Sequence, residues 1–466
     1  MRLAFLVPLG FAAGAIAGRR LLLQAPGAFA ADRAQPLVVV TYWGNFGSLM
    51  WLTLFVAIAI ATVGYVATLV TPFDFTSRQE RDASLRMTMM CSALACGAAS
   101  LFPVVFSSDV YAYAGYGLMA LHGLNPYAHT AVTLRGPLMD AVLWQWGNPP
   151  PACVYGPAYV WFAQAAVAIF GGFGAAAPLW ALRIGACGAL VACAPLAFAA
   201  FPHRTRGAAA AAIALNPVAI WTAAEGHNDA FLIAIVLAGF ALIAHGRAFT
   251  GAAIVAMSVL AKAPGLLAAA AGPFLVATDR SRSRVIAGSL LGLAAAAIIA
   301  WPAMLELSHN AGHGSYFPQF SLQYILNAAF GAPAAIALTA VLIAALATGG
   351  CLLLWKSDRS GAALLALALW IAVPNPYPWY SLWILPIALL AWETPAAWAI
   401  AALTLSSVLR YFPDATTDLS TPASVAVALA PFAIAAAVFI ACSKRLRSGL
   451  PENRTPVPDP ALSRFP

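Results

Sequence analysis

The sequence predicts an all-α, polytopic membrane protein on three observations. Hydrophobic residues make up 62% of the chain and charged residues 9%, with a mean hydropathy of +0.84, whereas soluble globular proteins carry roughly 25% charged residues. Apolar runs long enough to span a bilayer, about 17–25 residues, recur along nearly the whole length. Abundant alanine and 35 glycines suit helices that pack closely through small residues. The net charge of +8 is no nucleic-acid signal, because the basic residues are dispersed in short loops, where they set topology.

Hydropathy places candidate spans near 3–23, 47–70, 87–105, 178–201, 206–222, 229–245, 285–304, 332–355, 361–374, 378–391, 395–410 and 423–442, about 12 in all. Two shorter apolar features remain: the run 156–171, and a pair, 250–263 and 265–277, broken at Pro264. Arg2 precedes the apolar run Leu3–Ala17, and Arg19 and Arg20 follow it with no clean cleavage site, so the first segment reads as an uncleaved helix. Residues 1–447 form one membrane domain. The tail 448–466, with Pro451, Pro456, Pro458 and Pro460, reads as a disordered cytoplasmic end.

Orientation follows from the basic loops. Arg78, Arg81 and Arg86, then Arg204 and Arg206, Arg247, Arg280 to Arg284, Lys356 and Arg359, and Lys444 to Arg447 mark the cytoplasmic side. The loops carrying Asp109, Glu225–Asp229, Glu306–Gln323 and Asn375–Tyr380 then fall on the outer face. For the count to close, 156–171 lies along the outer surface. The pair 250–277 enters from the cytoplasm, turns at Pro264 and returns as two half-length helices. Arg19 and Arg20 land outside, against the rule.

Few of the 24 Lys and Arg or 16 Asp and Glu residues fall in or at the outer ends of apolar segments. Those that do are Asp109, Arg183, Glu225, Asp229 and Lys262. Each costs about 2.5–3.5 kcal/mol at a helix centre in hydrocarbon unless it pairs or faces a cavity, which makes a functional site the first hypothesis. A bland alternative is a set of structural ion pairs, such as Arg183 with Glu225.

Asp109 opens the polar, aromatic run that includes Tyr111, Tyr113 and Asn125 in a loop of nearly fifty residues. It is a candidate general base, or the cap of a short helix from Val110, a role open also to Ser107 and Ser108. Glu225-Gly226-His227-Asn228-Asp229 gathers more polar groups than a turn needs and suits sugar hydroxyls or a divalent ion, although its spacing is not specific for a metal. Lys262, beside the break at Pro264, suits a lipid phosphate. Val154-Tyr155-Gly156-Pro157 and Asn375-Pro376-Tyr377-Pro378-Trp379-Tyr380-Ser381-Leu382-Trp383 offer aromatic walls, which an interfacial belt explains as well. The seven cysteines show no metal-ligand or disulfide spacing, and no metal site is expected.

In this order, Asp109, His122-Gly123-Leu124-Asn125-Pro126-Tyr127, Tyr155-Gly156-Pro157, Asn216-Pro217 ahead of Gly226-His227-Asn228-Asp229, Lys262-Ala263-Pro264 and Pro378-Trp379-Tyr380 with Leu382-Trp383 resemble a known family. It is the polyprenol-phosphate-mannose-dependent mannosyltransferases of the bacterial alpha-1,6 type, similar to glycosyltransferase family 87. The likeness runs over roughly 100–390. It implies a GT-C helical bundle with surface-lying helices in the first large outer loop, and an inverting hexosyl transfer to a lipid or glycan acceptor, with the lone acid at Asp109 arguing against metal dependence. Asp109 would be the base. Arg183 and Lys262 would meet the leaving phosphate, and Glu225, His227, Asn228 and Asp229 would line the sugar or acceptor pocket. The enzyme would work in a bacterial plasma membrane, facing outward. Two features depart from the family: Asp109 has two serines rather than a second acid before it, and the basic motif is abbreviated to Lys262-Ala263-Pro264. The competing reading is a transporter or flippase of a lipid-linked saccharide, which places polar groups at mid-membrane rather than at one face.

Overall fold

A computed structural model describes residues 2–24, 44–71, 77–102, 104, 107–276, 279–310, 318–416 and 418–448. The helices, in order, are α1 Leu6–Gln24, α2 Gly44–Val70, α3 Arg78–Ser100, α4 Asp109–Leu121, α5 Pro137–Trp146, α6 Pro157–Phe170, α7 Ala176–Ala200, α8 Arg206–Ala214, α9 Pro217–Ala224 and α10 Asp229–Ala244. There follow α11 Ala248–Met257, α12 Gly265–Val276, α13 Arg282–Asn310, α14 Leu322–Phe330, α15 Ala332–Trp355, α16 Gly361–Ala372, α17 Leu385–Ala388, α18 Pro395–Ser406, α19 Phe412–Thr416 and α20 Thr421–Ser448. The expected disordered tail, apart from Ser448, lies outside the described residues.

The chain is a multi-pass helical membrane protein, but hydropathy overcounts its long helices. Six described helices have the length and apolarity to cross a bilayer, and a seventh forms if α8 and α9, bent by 45°, count as one span. The other apolar segments are cut short by their own chemistry. Pro217 starts α9 afresh, with Asn216 Oδ1 accepting from Val218 N at 2.9 Å as its cap. The segment 378–391 divides into a 3-10 turn at Pro378–Trp383, α17 and a second 3-10 turn. A hydropathy window registers apolarity and is blind to where the helical hydrogen bonds stop. Segment 87–105 is also displaced. Its helix, α3, starts at Arg78, where Ser77 Oγ accepts from Glu80 N at 3.1 Å. Its charged first turns hide it from the average.

Between Asp109 and Tyr155 the chain is not one long loop but forms α4 and α5, both packed against the bundle. Helix α6 occupies the run 156–171, with Tyr159, Val160, Ala163 and Val167 buried and Trp161, Ile169 and Phe170 exposed. The half-helix pair forms as expected from Pro264: α11 and its 3-10 end stop at Leu260, and α12 begins at Gly265. Helix α11 returns antiparallel to α10 after a three-residue turn and brings Lys262 beside Asp229 at the start of α10. Helix α12 then runs back, and Gly272 lies against the Phe240 ring. The break therefore points its tip at the polar end of the bundle.

Arg19, the exception to the charge rule, donates from Nε to Leu101 O at 2.7 Å. Leu101 is the C-cap of α3, so this cation meets the carbonyl-rich end of a helix.

Candidate functional site

Residues from five separate segments meet at one end of the bundle. Ser107 begins the construction: its N–H donates to Glu225 Oε2 at 3.1 Å, and its Oγ accepts from Asp109 N at 3.2 Å. This fixes the first turn of α4. Asp109 and Tyr113, four residues apart, share one helical face. Asp109 Oδ2 accepts from Tyr113 Oη at 3.3 Å and from Tyr155 Oη at 3.1 Å. Its side chain remains 17% exposed. Burial pushes the Tyr155 phenol well above its ordinary range, with Asp109 adding to the shift, so this hydroxyl stays a donor.

The turn after α9 is a Schellman motif: Gly226 N donates to Ala223 O at 3.0 Å and His227 N to Thr222 O at 3.1 Å. Gly226 takes φ +89°, and a Cβ there would meet Val110 Cγ2 at 2.9 Å. The motif turns His227 inward. Its Nδ1 lies 3.4 Å from Tyr113 Oη and 3.8 Å from both Asp109 Oδ2 and Asp229 Oδ2. Burial lowers the His227 pKa below its usual 6.5, against the raising influence of Asp109 and Asp229 and with that of Lys262. The imidazole is therefore held neutral.

Asp229, fully buried at the first turn of α10, accepts on Oδ1 from Lys262 Nζ at 2.8 Å and from the Trp383 indole N–H. Lys262 Nζ also donates to Asn228 Oδ1 at 3.0 Å. The rings of Trp383, Tyr155 and Tyr380 surround the ammonium at 4.9, 5.3 and 5.7 Å. Two motifs lock together here. Gly156 N donates to Ala261 O at 3.2 Å, and a Cβ on Gly156 would fall 2.0 Å from Leu260 O. Only glycine lets the start of α6 reach the helix break, and this contact sets Tyr155 over Lys262. Trp379 lies on His227 with ring centroids 4.3 Å apart. His227 Nε2, Asn228 Nδ2 and Asp229 Oδ2 are buried without a hydrogen-bond partner, and buried polar atoms of this kind are normally satisfied. A hydroxyl-rich ligand would satisfy them.

Of the residues picked from sequence, the structure brings together Asp109, Tyr113, Tyr155, Glu225, His227, Asn228, Asp229, Lys262, Trp379 and Tyr380. Three lie apart. Arg183 donates to Ala224 O at 2.5 Å and Ser100 O at 2.9 Å and stacks over Trp180; it ties helix ends together, with the Glu225 carboxylate near enough to act on its charge. Tyr111, two positions from Asp109, turns to the other side of α4 and is buried in the packing of α4 to α7. Asn125 is exposed, and its Oδ1 accepts from Tyr127 N at 3.0 Å within its own turn. Sequence reasoning kept Trp383 only as part of an aromatic wall and passed over Tyr159, whose hydroxyl donates to Gly226 O at 3.3 Å. Both lie in aromatic runs that an interfacial belt already explained.

Fold and site thus define a multi-pass helical membrane protein with a cluster of buried polar groups at one end, around a carboxylate that stays accessible. The chain belongs to the alpha-(1->6)-mannopyranosyltransferase family, whose N-terminal domain matches residues 5–278. That stretch takes in every site residue up to Lys262, and the likeness seen in six ordered motifs holds. The chain is also similar to Alpha-(1->6)-mannopyranosyltransferase A of Mycobacterium tuberculosis, with 28% identity over 353 residues, and the aligned region covers 66% of each chain. No solved structure matches it.

Proposed function

We propose that this protein transfers mannose from a polyprenyl-phosphate donor to a hydroxyl of a lipid or glycan acceptor, with inversion, on the outer face of a bacterial plasma membrane. The acceptor hydroxyl gives its proton to Asp109 as its oxygen bonds to the anomeric carbon. The bond from that carbon to the phosphate oxygen breaks, and polyprenyl phosphate leaves with the electron pair. Lys262 meets the developing phosphate charge, an electrostatic stabilisation aimed at the transition state. The neutral His227, with Asn228 and Asp229, takes the sugar hydroxyls. The arrangement calls on no metal, because the ammonium supplies the positive charge.

One observation carries the reading. Both tyrosine hydroxyls bind Asp109 through Oδ2, which leaves Oδ1 of an accessible carboxylate for an acceptor, beside a caged cation. The family membership and the relative's printed activity support mannose as the sugar.

The test is transfer of radiolabelled mannose from polyprenyl-phosphate-mannose to lipid and glycan acceptors by the purified protein, with Asp109→Asn in parallel. General-base loss lowers the rate about 10²–10⁴-fold. Full activity in a folded Asp109→Asn protein would refute the base assignment. Movement of intact lipid-linked sugar across proteoliposomes without bond cleavage would refute the enzyme.

A further inference from the structure

A neutral His227 carries one ring proton, and its surroundings decide which nitrogen holds it. Nδ1 faces three oxygens: Tyr113 Oη at 3.4 Å and, at 3.8 Å, one carboxylate oxygen each of Asp109 and Asp229. Nε2 meets no hydrogen-bond partner among the described residues. A proton on Nε2 would be a buried donor with nothing to receive it, and it would turn the bare Nδ1 lone pair towards two carboxylates. The proton therefore belongs on Nδ1, directed at Tyr113 Oη. Tyr113 has one proton of its own and two oxygens left to receive it, Asp109 Oδ2 at 3.3 Å and Tyr155 Oη at 3.4 Å. The ionised carboxylate is the stronger acceptor.

We infer that Tyr113 and His227 are positioning residues for Asp109, joined in a one-way hydrogen-bond chain in which His227 Nδ1 donates to Tyr113 and Tyr113 donates to Asp109 Oδ2. This role rests on the proposed base function of Asp109. With its nitrogen already a donor, His227 offers Tyr113 no competing acceptor, so the phenol proton stays on the carboxylate. Together with Tyr155, the chain occupies Oδ2, keeps Asp109 ionised and leaves Oδ1 to take the acceptor's proton. The packing holds both residues in line. Gly226 turns His227 inward, Trp379 covers its ring, and Tyr155 and Tyr159 grip the Tyr113 ring edge-on at 4.9 and 5.0 Å. Asp109 is faced by the phenols of Tyr113, Tyr116, Tyr155, Tyr159 and Tyr380, by His227, and by Asp229 with its partner Lys262, while Glu225 stands behind Ser107. Among the described residues, its carboxylate accepts hydrogen bonds from Tyr113 and Tyr155.

The experiment uses the full-length protein in lipid nanodiscs, with 15N-labelled histidine rings and 13C-labelled aspartate carboxyls. Signals of His227 and Asp109 are assigned by their loss in His227→Gln and Asp109→Asn. At about pH 8, where an ordinary histidine is neutral, the wild type is expected to carry the His227 proton on Nδ1 with Nε2 bare. The opposite tautomer would overturn the inference, and this measurement needs no substrate. Tyr113→Phe keeps the ring and removes the hydroxyl. It should raise the Asp109 titration midpoint by about one pH unit or more, the scale of one hydrogen bond to a charged group, because the ionised form loses a donor. An unmoved midpoint would overturn the chain. The acid limb of kcat for mannosyl transfer should rise by the same amount, with KM for the donor unchanged. A raised midpoint with an unmoved rate limb would overturn the base function of Asp109 and the positioning role with it, which tells that failure from a failure of the chain. If Tyr113→Phe does not fold, the wild-type tautomer decides.

Discussion

Replacing Lys262 with Met separates what the buried ion pair does for the fold from what it does for the reaction. Nζ and Oδ1 are 2.8 Å apart, with the side chain of Lys262 8% exposed and that of Asp229 0%. At an effective dielectric of about 20, their attraction is about 6 kcal/mol, most of it offset by the desolvation of both groups. Removing one partner of such a pair costs about 3–5 kcal/mol, because a charge is left buried alone. Asp229 keeps the Trp383 indole N–H, so the expected cost is at the lower end, about 3 kcal/mol. Adding Asp229→Asn removes the stranded charge, and the double variant should return to within about 1 kcal/mol of the wild type. Stability is read as the midpoint of unfolding in mixed detergent micelles, and activity as mannosyl transfer by the same preparations. Transfer should not return with stability, because the double variant still lacks the cation that meets the phosphate. A Lys262→Met cost under about 1 kcal/mol would refute the energetics. A stable double variant with wild-type activity would refute the role of Lys262.

Other outcomes are open to measurement. Since burial holds the His227 pKa below 6.5, the unfolded chain takes up this proton first as pH falls. Stability contributed by neutral His227 is present above about pH 6.5 and lost below it; His227→Gln should flatten that acid limb in melting curves, and an unchanged limb would sink the assignment. Gly226→Ala forces φ +89° on a residue with a Cβ 2.9 Å from Val110. It should cost about 1–3 kcal/mol and lower transfer by displacing His227, and a variant with wild-type stability and rate would contradict the Schellman argument. Transfer should persist in EDTA. Loss of activity that added magnesium or manganese restores would show that a metal, not Lys262 alone, meets the phosphate.

What the sequence revealed of the site follows from cost. Asp109, Glu225, Asp229 and Lys262 were legible because a charge among apolar residues is expensive and needs a reason. Arg183 met the same criterion, yet its hydrogen bonds go to backbone carbonyls at the ends of α3 and α9, with Glu225 acting on it through charge. A sequence does not show whether a charge is answered by a side chain or by a helix terminus. The role of Trp383, and Arg410 altogether, were hidden for the opposite reason. An indole in an aromatic run and an arginine at the end of an apolar segment both have ordinary interfacial explanations. Only the folded chain aims the Trp383 N–H at Asp229 and sets Arg410 against Phe320 and Tyr377. In the fold, the break at Pro264 was readable because proline removes a helical hydrogen bond locally. The number of long helices was not, since it depends on breaks that a hydropathy average smooths over.

The acid that stands alone in sequence is not alone in space. Glu225 fixes the turn before Asp109 through Ser107, and Asp229 approaches the same His227 nitrogen as Asp109 does. A carboxylate paired with the lysine would repel an incoming phosphate unless the lysine kept a donor in reserve. An ammonium has three donors; Asn228 and Asp229 take two of them, and the third is left for a phosphate oxygen without breaking the buried pair. Tyr155 then joins the two halves of the reaction. Its hydroxyl holds Asp109 Oδ2 at 3.1 Å while its ring lies 5.3 Å from the ammonium. The proposed proton acceptor and the proposed phosphate-facing cation are thus set by one side chain, and the contact of Gly156 with the helix break keeps that side chain in place.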